Sequence, residues 1–283
     1  MRSLDQLRDG LCSEHYLADR PLAIALHLSL TMGRPLLLEG EAGVGKTEVA
    51  KTLARVLGRE LIRLQCYEGI DAAQALYEWD YSRQLLYARL APERDLEPAD
   101  LYGSEFLIER PLLRAIRSGS GAVLLIDELD RADDEFEAFL LEVLADFAVT
   151  IPEIGTIAAS EPPAVVITSN RTREVHDALT RRCLYHWIDF PDVARETEII
   201  RLRAPEVPER LARSVAQTVE TLRGLELVKR PGVAEAIDWT RALALMGAED
   251  ASGAEASETL GCVVKRQEDR ELATAALEEA LGG

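Results

Sequence analysis

The sequence predicts an α/β protein with a five-stranded parallel sheet, followed by a smaller all-α domain. Two patterns lead to this fold class. Short apolar runs alternate with helical segments as far as Pro191, which is typical of strands joined by crossover helices. Beyond Pro191 only helical patterns follow. We therefore expect an α/β domain with β-hairpin insertions at residues 1–191 and a helical domain at residues 192–283.

The strands of the sheet are expected in five short runs. Most of them are rich in Leu, Ile and Val, as strands buried on both faces are. The runs are Leu36–Glu39, Leu61–Gln65, Ala122–Asp127, Ala164–Ser169 and Tyr185–Phe190. Between the third and the fourth run, Val149–Ile157 is typical of a β-hairpin that turns near residues 152–155.

The helices are predicted from apolar residues that recur three and four positions apart. The clearest stripe is interpreted as core packing, and it comprises Phe136, Phe139, Leu140, Val143, Leu144 and Phe147. A second helical face, between Leu22 and Leu30, is expected to pack on the sheet. Residues 248–257 are predicted to form a polar, flexible break in the helical domain.

The segment between the first strand and the next helix fits the phosphate-binding pattern G-x-x-x-x-G-K-[ST]. Its residues are Gly40, Glu41, Ala42, Gly43, Val44, Gly45, Lys46 and Thr47. Glycines let backbone N–H groups surround phosphates, and a helix N-terminus attracts anions. Lys46 would contact the β- and γ-phosphates of ATP, and the Thr47 hydroxyl would hold Mg²⁺. The pattern therefore predicts a P-loop NTPase that uses ATP and Mg²⁺.

Polar side chains follow two further predicted strands. Because ligands of open α/β sheets bind at the carboxyl ends of the strands, these side chains are expected beside the phosphates. Asp127 suits Mg²⁺ coordination, Glu128 suits the base that orients the attacking water, and the Asn170 amide suits the γ-phosphate or that water. Just before the fifth strand, Arg181 and Arg182 are candidates for an arginine finger that reaches a neighbouring subunit.

Composition narrows the class of protein. With 47% hydrophobic and 29% charged residues, the 283-residue chain is globular. It has no run of about 18 apolar residues and no signal-peptide core, so we expect a cytoplasmic protein without a transmembrane segment, peripheral at the inner membrane only through partners. Its cysteines, Cys12, Cys66, Cys183 and Cys262, are far apart and are expected to be buried free thiols.

The net charge of −18 bears on possible partners. Acids are concentrated at residues 93–109 and 127–146. Such a surface repels phosphate backbones, so no nucleic-acid partner is expected. The acidic runs are interpreted as solvated helix faces, with a docking surface for a basic partner as the alternative.

Four blocks of the sequence resemble those of AAA+ ATPases, and more narrowly those of the MoxR family. They are Gly40–Thr47, Leu124–Arg131 (LLIDELDR), Ile167–Arg171 (ITSNR) and Ala178–Cys183 (ALTRRC), in the family's order. The resemblance covers residues 18 to 240. Within the family, Phe106–Arg114, Val149–Ile157 and Lys229–Trp239 are most similar to the CoxD-type branch, which is associated with maturation of molybdenum- and copper-containing carbon monoxide dehydrogenase.

The resemblance implies a role for each matching residue. Lys46 and Thr47 match Walker A, Asp127 and Glu128 match Walker B, Asn170 matches sensor 1, and Arg182 matches the finger, with Arg181 as the runner-up. Glu48, directly after Walker A, is also expected to bind the nucleotide. Many members of the family have a sensor 2 arginine in a lid helix, at the position where this chain has Glu235. Arg230 and Arg241 are possible substitutes, and Arg230 is also expected to bind the nucleotide. Trp79 suits either an aromatic pore loop or, preferably, core packing.

The sequence is compatible with three functions. The resemblance favours a ring-forming ATPase, expected to be a hexamer with helical lid domains, that matures a client metalloenzyme with a von Willebrand factor A-domain adaptor protein. The second is a nucleotide-gated scaffold with little turnover. The third is a nucleic-acid motor or transcription activator, which the acidic charge and the lack of a basic stripe disfavour.

Overall fold

The computed structural model describes residues 3–90 and 98–282. Their contacts divide into two compact units. The first unit takes its residues from the ranges Met1–Gly10, Ala18–Glu39 and Thr47–Trp187, and the second from Leu11–Leu17, Gly40–Lys46 and Ile188–Gly283. The chain therefore passes from the second unit into the first between Lys46 and Thr47. The division into domains after residue 191 stays a prediction.

The strands form one large sheet and two small ones. In the described residues the strands are β1 (Leu36–Gly40), β2 (Glu60–Gln65), β3 (Tyr77–Trp79), β4 (Leu107–Glu109), β5 (Ala122–Asp127), β6 (Ala148–Ile151), β7 (Gly155–Ala158), β8 (Ala164–Ser169) and β9 (Leu184–Ile188). The large sheet has the order β2-β5-β8-β1-β9, which confirms the predicted five-stranded parallel sheet. Because Gln65 pairs with Asp127 and Glu39 pairs with Ser169, the polar ends of these strands lie along one edge.

The helices precede, separate and follow the strands. The described α-helices are α1 (Leu4–Ser13), α2 (Arg20–Met32), α3 (Lys46–Leu57), α4 (Ala72–Leu76), α5 (Tyr81–Leu90), α6 (Pro111–Ser118), α7 (Asp134–Asp146), α8 (Asp177–Thr180), α9 (Val193–Arg203), α10 (Glu209–Arg223), α11 (Val233–Leu245), α12 (Ala254–Glu258) and α13 (Gln267–Gly282). As expected, no strand is found in the described residues after Ile188. No helix of the described ranges is long and apolar enough to cross a membrane.

Short side-chain caps fix where the main helices begin. The carboxylate of Asp19 accepts a hydrogen bond from the Leu22 N–H at 2.8 Å and starts α2. Asp133 does the same for α7 through the Phe136 N–H at 2.9 Å. Such caps satisfy N–H groups that have no partner within the helix. α2 ends at Met32 and is capped by Gly33, whose φ of +62° is readily adopted by glycine.

The core of the first unit confirms that the predicted apolar stripe of α7 is packed inside the protein. Its buried residues come from the sheet and from the covering helices α4, α6 and α7, and they include Leu37, Ile62, Leu112, Leu124, Phe136, Leu140, Leu144 and Ile167. At the end of the stripe, Phe147 lies outside α7 and adopts a φ of +45°, where its N–H still donates to the Val143 carbonyl. The chain then enters β6, and β6 with β7 forms the predicted hairpin.

Three details differ from the sequence-based expectation. Tyr77–Trp79 and Leu107–Glu109 form an antiparallel pair that no periodicity predicted, because each strand has only three residues. The predicted strand 185–190 ends at Ile188, and the Phe190 ring packs instead under the Arg223 guanidinium, 4.3 Å from the ring centroid. The predicted break at 248–257 already contains the start of α12 at Ala254.

The expectation of buried thiols holds for two cysteines. Cys66 and Cys183 are buried, and burial raises the pKa of each thiol to about 12, so both stay protonated at neutral pH. For the other two the expectation is wrong, since Cys12 is exposed and Cys262 is half-buried.

The core of the second unit contains a buried ion pair. Arg223 on α10 donates to both carboxylate oxygens of Glu196 on α9, at 2.6 and 2.7 Å, and its Nε donates to the Pro231 carbonyl at 2.8 Å. Burial raises the pKa of Glu196, while the hydrogen bonds and charge of Arg223 act in the opposite direction. The carboxylate therefore depends on Arg223 for its charge to be tolerated.

We expect Arg223→Ala to destabilise the second unit by about 3–5 kcal/mol, because it leaves a buried carboxylate without its partner. The control is Arg210→Ala, whose exposed contacts with Glu249 and Asp250 at 3.4 and 3.2 Å predict a loss of at most about 1 kcal/mol. Hydrogen exchange of amides in α10 and α11 measures both local stabilities. Equal losses in the two variants would contradict the role given to the buried pair.

Candidate nucleotide-binding site

The phosphate loop lies in the second unit up to Lys46. Gly43 and Gly45 have φ angles of +88° and +97°, which side chains other than glycine rarely adopt. The Lys46 ammonium is buried and donates to the carbonyls of Gly40 and Glu41, at 2.8 and 2.7 Å. The loop therefore curls around its own lysine. Of its other members, Ala42 is exposed and Val44 is buried.

The N-terminus of α11 contacts the loop through backbone atoms. The Val233 N–H donates to the Gly43 carbonyl at 2.9 Å. A Cβ placed on Gly43 would lie 2.7 Å from the Gly232 Cα, so both positions need glycine. This contact occurs where the resemblance expects a sensor 2 arginine.

Of the two possible sensor 2 substitutes, Arg230 is the one that reaches the loop. Its guanidinium contacts the Glu41 carboxylate at 2.7 Å. Arg241 instead donates to the Arg203 carbonyl at 2.6 Å and lies 3.5 Å from Glu206. The structure thus brings one predicted cation to the phosphate loop and places the other at the end of α9.

In the first unit, the predicted metal ligands meet at a buried carboxylate. Asp127, at the end of β5, is 1% exposed. Its Oδ1 accepts hydrogen bonds from the hydroxyls of Thr47 at 3.0 Å and Thr168 at 2.6 Å. Its Oδ2 accepts two from Arg63 on β2, at 2.9 Å from Nε and 2.6 Å from Nη2. Thr168 and Arg63 were not predicted from the sequence.

The predicted base follows directly in a strained conformation. Glu128 has φ +56° and ψ +50°, which few residues other than glycine adopt. Its backbone N–H donates to the Thr168 hydroxyl at 2.9 Å, and its carboxylate accepts from the Gln65 amide at 3.1 Å. Thr168 therefore donates to Asp127 and accepts from Glu128 with the same hydroxyl, which orients both acids.

The segment with the predicted sensor 1 residue is held by a second buried acid. Asp130 is 4% exposed and accepts from the Asn170 N–H at 3.1 Å and the Thr172 N–H at 3.0 Å. It also accepts from the Thr172 hydroxyl at 2.6 Å. Burial acts to raise the pKa of Asp130, but these hydrogen bonds outweigh it and hold the pKa below the usual value.

A third acid holds the other end of that segment. Glu137 on α7 is 1% exposed, pairs with Arg173, and accepts from the His176 N–H at 2.7 Å. The interpretation of residues 127–146 as solvated helix faces is therefore wrong for Asp127, Asp130 and Glu137. The other predicted acidic run begins at residue 93, in a stretch that lies outside the described residues.

The two candidate finger residues follow α8. The Arg181 side chain is 82% exposed and lies 3.7 Å from the Asp177 carboxylate. Arg182 is also exposed, and its guanidinium donates to the Leu141 carbonyl on α7 at 3.0 Å. Both cations thus lie at the surface of the first unit, on a segment fixed to α7.

The remaining predicted residues have other partners. Glu48 lies 3.3 Å from Arg55 and 3.8 Å from Lys51, both on its own helix α3. Trp79 is buried among Tyr77 and Tyr102, with ring centroids 6.1 and 5.1 Å apart, which confirms the packing alternative over the pore loop.

The residues present fit ATP and Mg²⁺. Mg²⁺ prefers oxygen ligands and is commonly held by one or two protein oxygens together with substrate phosphates. In the first unit, the Thr47 hydroxyl and the Asp127 carboxylate are adjacent and would hold Mg²⁺. In the second unit, Lys46 and the N–H groups of the loop are of the kind that binds phosphates. When bound, the metal would neutralise charge that develops on the phosphates.

We expect Thr168→Val to reduce ATP hydrolysis by one to two orders of magnitude, on the order seen when reacting groups are misplaced. Valine keeps the shape of threonine but removes the hydroxyl that orients both acids. Thr168→Ser keeps that hydroxyl and should retain most of the activity. The measurement is kcat, with ATP affinity by calorimetry expected within a few-fold. Wild-type turnover in Thr168→Val would contradict this role.

Curated relatives match this chain over part of its length and over part of their own. Protein NorQ of Paracoccus denitrificans is 27% identical over 173 residues, covering 59% of this chain and 56% of that protein. The denitrification regulatory protein NirQ of Stutzerimonas stutzeri is 26% identical, with 69% and 65% covered. The gas vesicle ATPase GvpN of Haloferax mediterranei is 23% identical, with 69% and 58% covered. The chain thus spans less than two thirds of each of these relatives.

Solved structures and a family model extend the comparison. A mutant of RuvB from Thermotoga maritima superposes with a TM-score of 0.54 at 20% identity, covering 90% of this chain and 72% of that one. At this identity the likeness shows the fold alone. The model of the AAA domain, dynein-related subfamily, matches residues 35–183, more than half of the chain. This match includes the phosphate loop from Gly40, the acids Asp127 and Glu128, and the two candidate finger residues. The chain therefore belongs to the AAA domain family, in its dynein-related subfamily.

Proposed function

We propose that the chain is a Mg²⁺-dependent ATPase that converts ATP and water to ADP and phosphate. One observation carries this proposal: the Asp127 carboxylate joins the Thr47 hydroxyl to the Thr168 hydroxyl, which in turn holds the Glu128 backbone. The Thr168 hydroxyl thereby holds both the proposed metal ligand, Asp127, and the backbone of the proposed base, Glu128. AAA family membership supports ATPase activity in general.

The roles proposed for individual residues follow from this arrangement. Asp127 and Thr47 hold the metal, Glu128 polarises the attacking water, and Asn170 contacts the γ-phosphate or that water. The loop Gly40–Thr47 binds the nucleotide, with Glu48 and Arg230 at its margins. Arg182, or Arg181 in its place, stabilises charge on the γ-phosphate of a neighbouring subunit.

A finger that acts in trans requires an oligomer. We propose a ring of identical subunits, a hexamer, in which the second unit contains the lid. The exposed positions of Arg181 and Arg182 support this, because neither is enclosed within its own chain. The von Willebrand factor A-domain adaptor is proposed to link the ring to its client.

The proposed biological role is maturation of a client metalloenzyme, including assembly of its metal centre, by a cytoplasmic ATPase of the MoxR family. Similarity to NorQ and to the denitrification regulatory protein NirQ supports the MoxR assignment. The CoxD-type branch remains our finer proposal, supported by the sequence segments Phe106–Arg114 and Lys229–Trp239.

Two alternatives make different predictions. A nucleotide-gated scaffold would bind ATP and assemble but scarcely hydrolyse it. A nucleic-acid motor would require contacts with phosphates along an extended surface, which a net charge of −18 opposes. The likeness to RuvB does not favour the motor, because it concerns the fold.

Capture of the client in the native cell tests the role. Glu128→Gln should bind ATP without hydrolysing it and so retain the client, whereas Lys46→Ala, the matched control, should fail to bind ATP. We expect a metalloenzyme and an adaptor to be enriched with Glu128→Gln over Lys46→Ala. Enrichment of nucleic acid instead would support the motor, and equal recovery by both variants would contradict nucleotide-dependent client binding.

The trans finger is tested by mixing two inactive variants. Arg182→Ala and Glu128→Gln alone should each lose hydrolysis by two or more orders of magnitude. In a mixed ring, an Arg182→Ala subunit faces the intact finger of a Glu128→Gln neighbour, so one complete site is rebuilt. We expect partial recovery of ATPase activity. Mixed oligomers, shown by native mass spectrometry, without recovery would rule out Arg182 as a trans finger, and the same mixture made with Arg181→Ala then tests the runner-up.

A further inference from the structure

Residues 181–183, which we call the finger segment, are bound by Arg34, an arginine that is not among the candidate nucleotide-site residues. The Arg34 guanidinium donates to three successive carbonyls just after α8: Arg181 at 2.8 Å, Arg182 at 3.1 Å and Cys183 at 3.4 Å. These three residues lie beyond the last residue of α8, and a guanidinium offers five donors in a fixed fork that can bind several carbonyls at once. One side chain thus fixes the backbone on which both candidate fingers stand.

Arg34 is itself anchored at its backbone. Its N–H donates to the Ser29 carbonyl at 3.2 Å, and its carbonyl accepts from the buried Ser29 hydroxyl at 2.6 Å. The next residue, Pro35, accepts from the Leu184 N–H at 2.8 Å, where β9 begins. Arg34 therefore connects the end of α2 and the start of β1 to the segment 181–183.

The finger segment also makes a hydrogen bond to α7. The Arg182 guanidinium donates to the Leu141 carbonyl on α7 at 3.0 Å. The backbone bonds from Arg34 and the side-chain bond to α7 act on different atoms of Arg182. If Arg182 leaves Leu141 to reach a neighbouring subunit, the bonds from Arg34 remain, and the residue extends from a fixed backbone.

We propose that Arg34 is a positioning residue for the arginine finger. Its guanidinium fixes the backbone of residues 181–183 in one geometry, so that the finger side chain enters the neighbouring site without the cost of ordering its own segment. In this role Arg34 acts only through the finger. This inference rests on the proposed function, in which the finger works in trans.

The inference predicts that Arg34 variants behave as finger variants. Arg34→Ala should lower kcat by about ten- to a hundred-fold and leave ATP affinity within a few-fold, because the phosphate loop is intact. Arg34→Lys should lose less, since an ammonium keeps the charge but not the fork. The matched control is Arg114→Ala, an arginine of the same unit whose exposed side chain pairs with Glu60, and it should keep wild-type activity.

Mixing experiments separate positioning of the finger from a general structural role. Arg34→Ala mixed with Glu128→Gln should recover activity, because the Arg34→Ala subunit keeps a complete site of its own and borrows its neighbour's finger. Arg34→Ala mixed with Arg182→Ala should not recover, because every finger in that ring is defective. Where Arg34→Ala does not form rings by native mass spectrometry, Arg34→Lys is used in the same two mixtures.

The outcomes distinguish this inference from the proposed function. If ATPase activity does not recover when Glu128→Gln is mixed with Arg182→Ala, and does not recover when it is mixed with Arg34→Ala, the trans finger itself is overturned. Recovery for Arg182→Ala but not for Arg34→Ala overturns the role of Arg34 alone, since its defect then lies in its own site. Wild-type activity of Arg34→Ala, or recovery in its mixture with Arg182→Ala, overturns it as well.

Discussion

The buried carboxylate of Asp127 is the constraint on which the candidate nucleotide site depends. A buried charge is tolerated only when it is paired and hydrogen-bonded, and Asp127 meets this condition with four hydrogen bonds from Thr47, Thr168 and Arg63. These donors come from α3, β8 and β2, so three elements are tied to the end of β5. A slip of either neighbouring strand by one residue would turn its donor to the other face of the sheet and leave the charge unpaired.

Two further buried acids, Asp130 and Glu137, fix the chain that follows β8. Asp130 fixes the backbone of Asn170 and Thr172, and Glu137 fixes Arg173 and His176. Each acid is buried and each accepts bonds from the chain that follows β8. The segment after β8 therefore owes its shape to α7 and the turn before it. Its bonds explain why Asp130 and Glu137, two acids of a run that was interpreted as solvated, are inside the protein.

The sequence predicted candidate residues that lie in a contiguous motif or at the end of a strand. It did not predict residues whose role depends on a partner that is distant in sequence. Gly40–Thr47 and the acids after β5 follow from spacing and from the rule that ligands bind at strand ends. Thr168 looked like an ordinary strand residue, and its role appears only when parallel register places it beside Asp127. Arg63 lies on β2, and its partner is 64 positions away. The strands β3 and β4 are too short for any periodicity to be recognised.

The same distinction explains why the sensor 2 position gave no clear answer from sequence. The resemblance places Glu235 where a sensor 2 arginine is expected, yet α11 still contacts the loop, through the Val233 N–H and the Gly43 carbonyl. A backbone contact needs no particular side chain, only room, and Gly43 and Gly232 provide that room. The cation comes from the segment before the helix, where Arg230 contacts Glu41. Within the second unit, the hydrogen bond between α11 and the loop joins main-chain atoms, so it does not depend on an arginine at position 235.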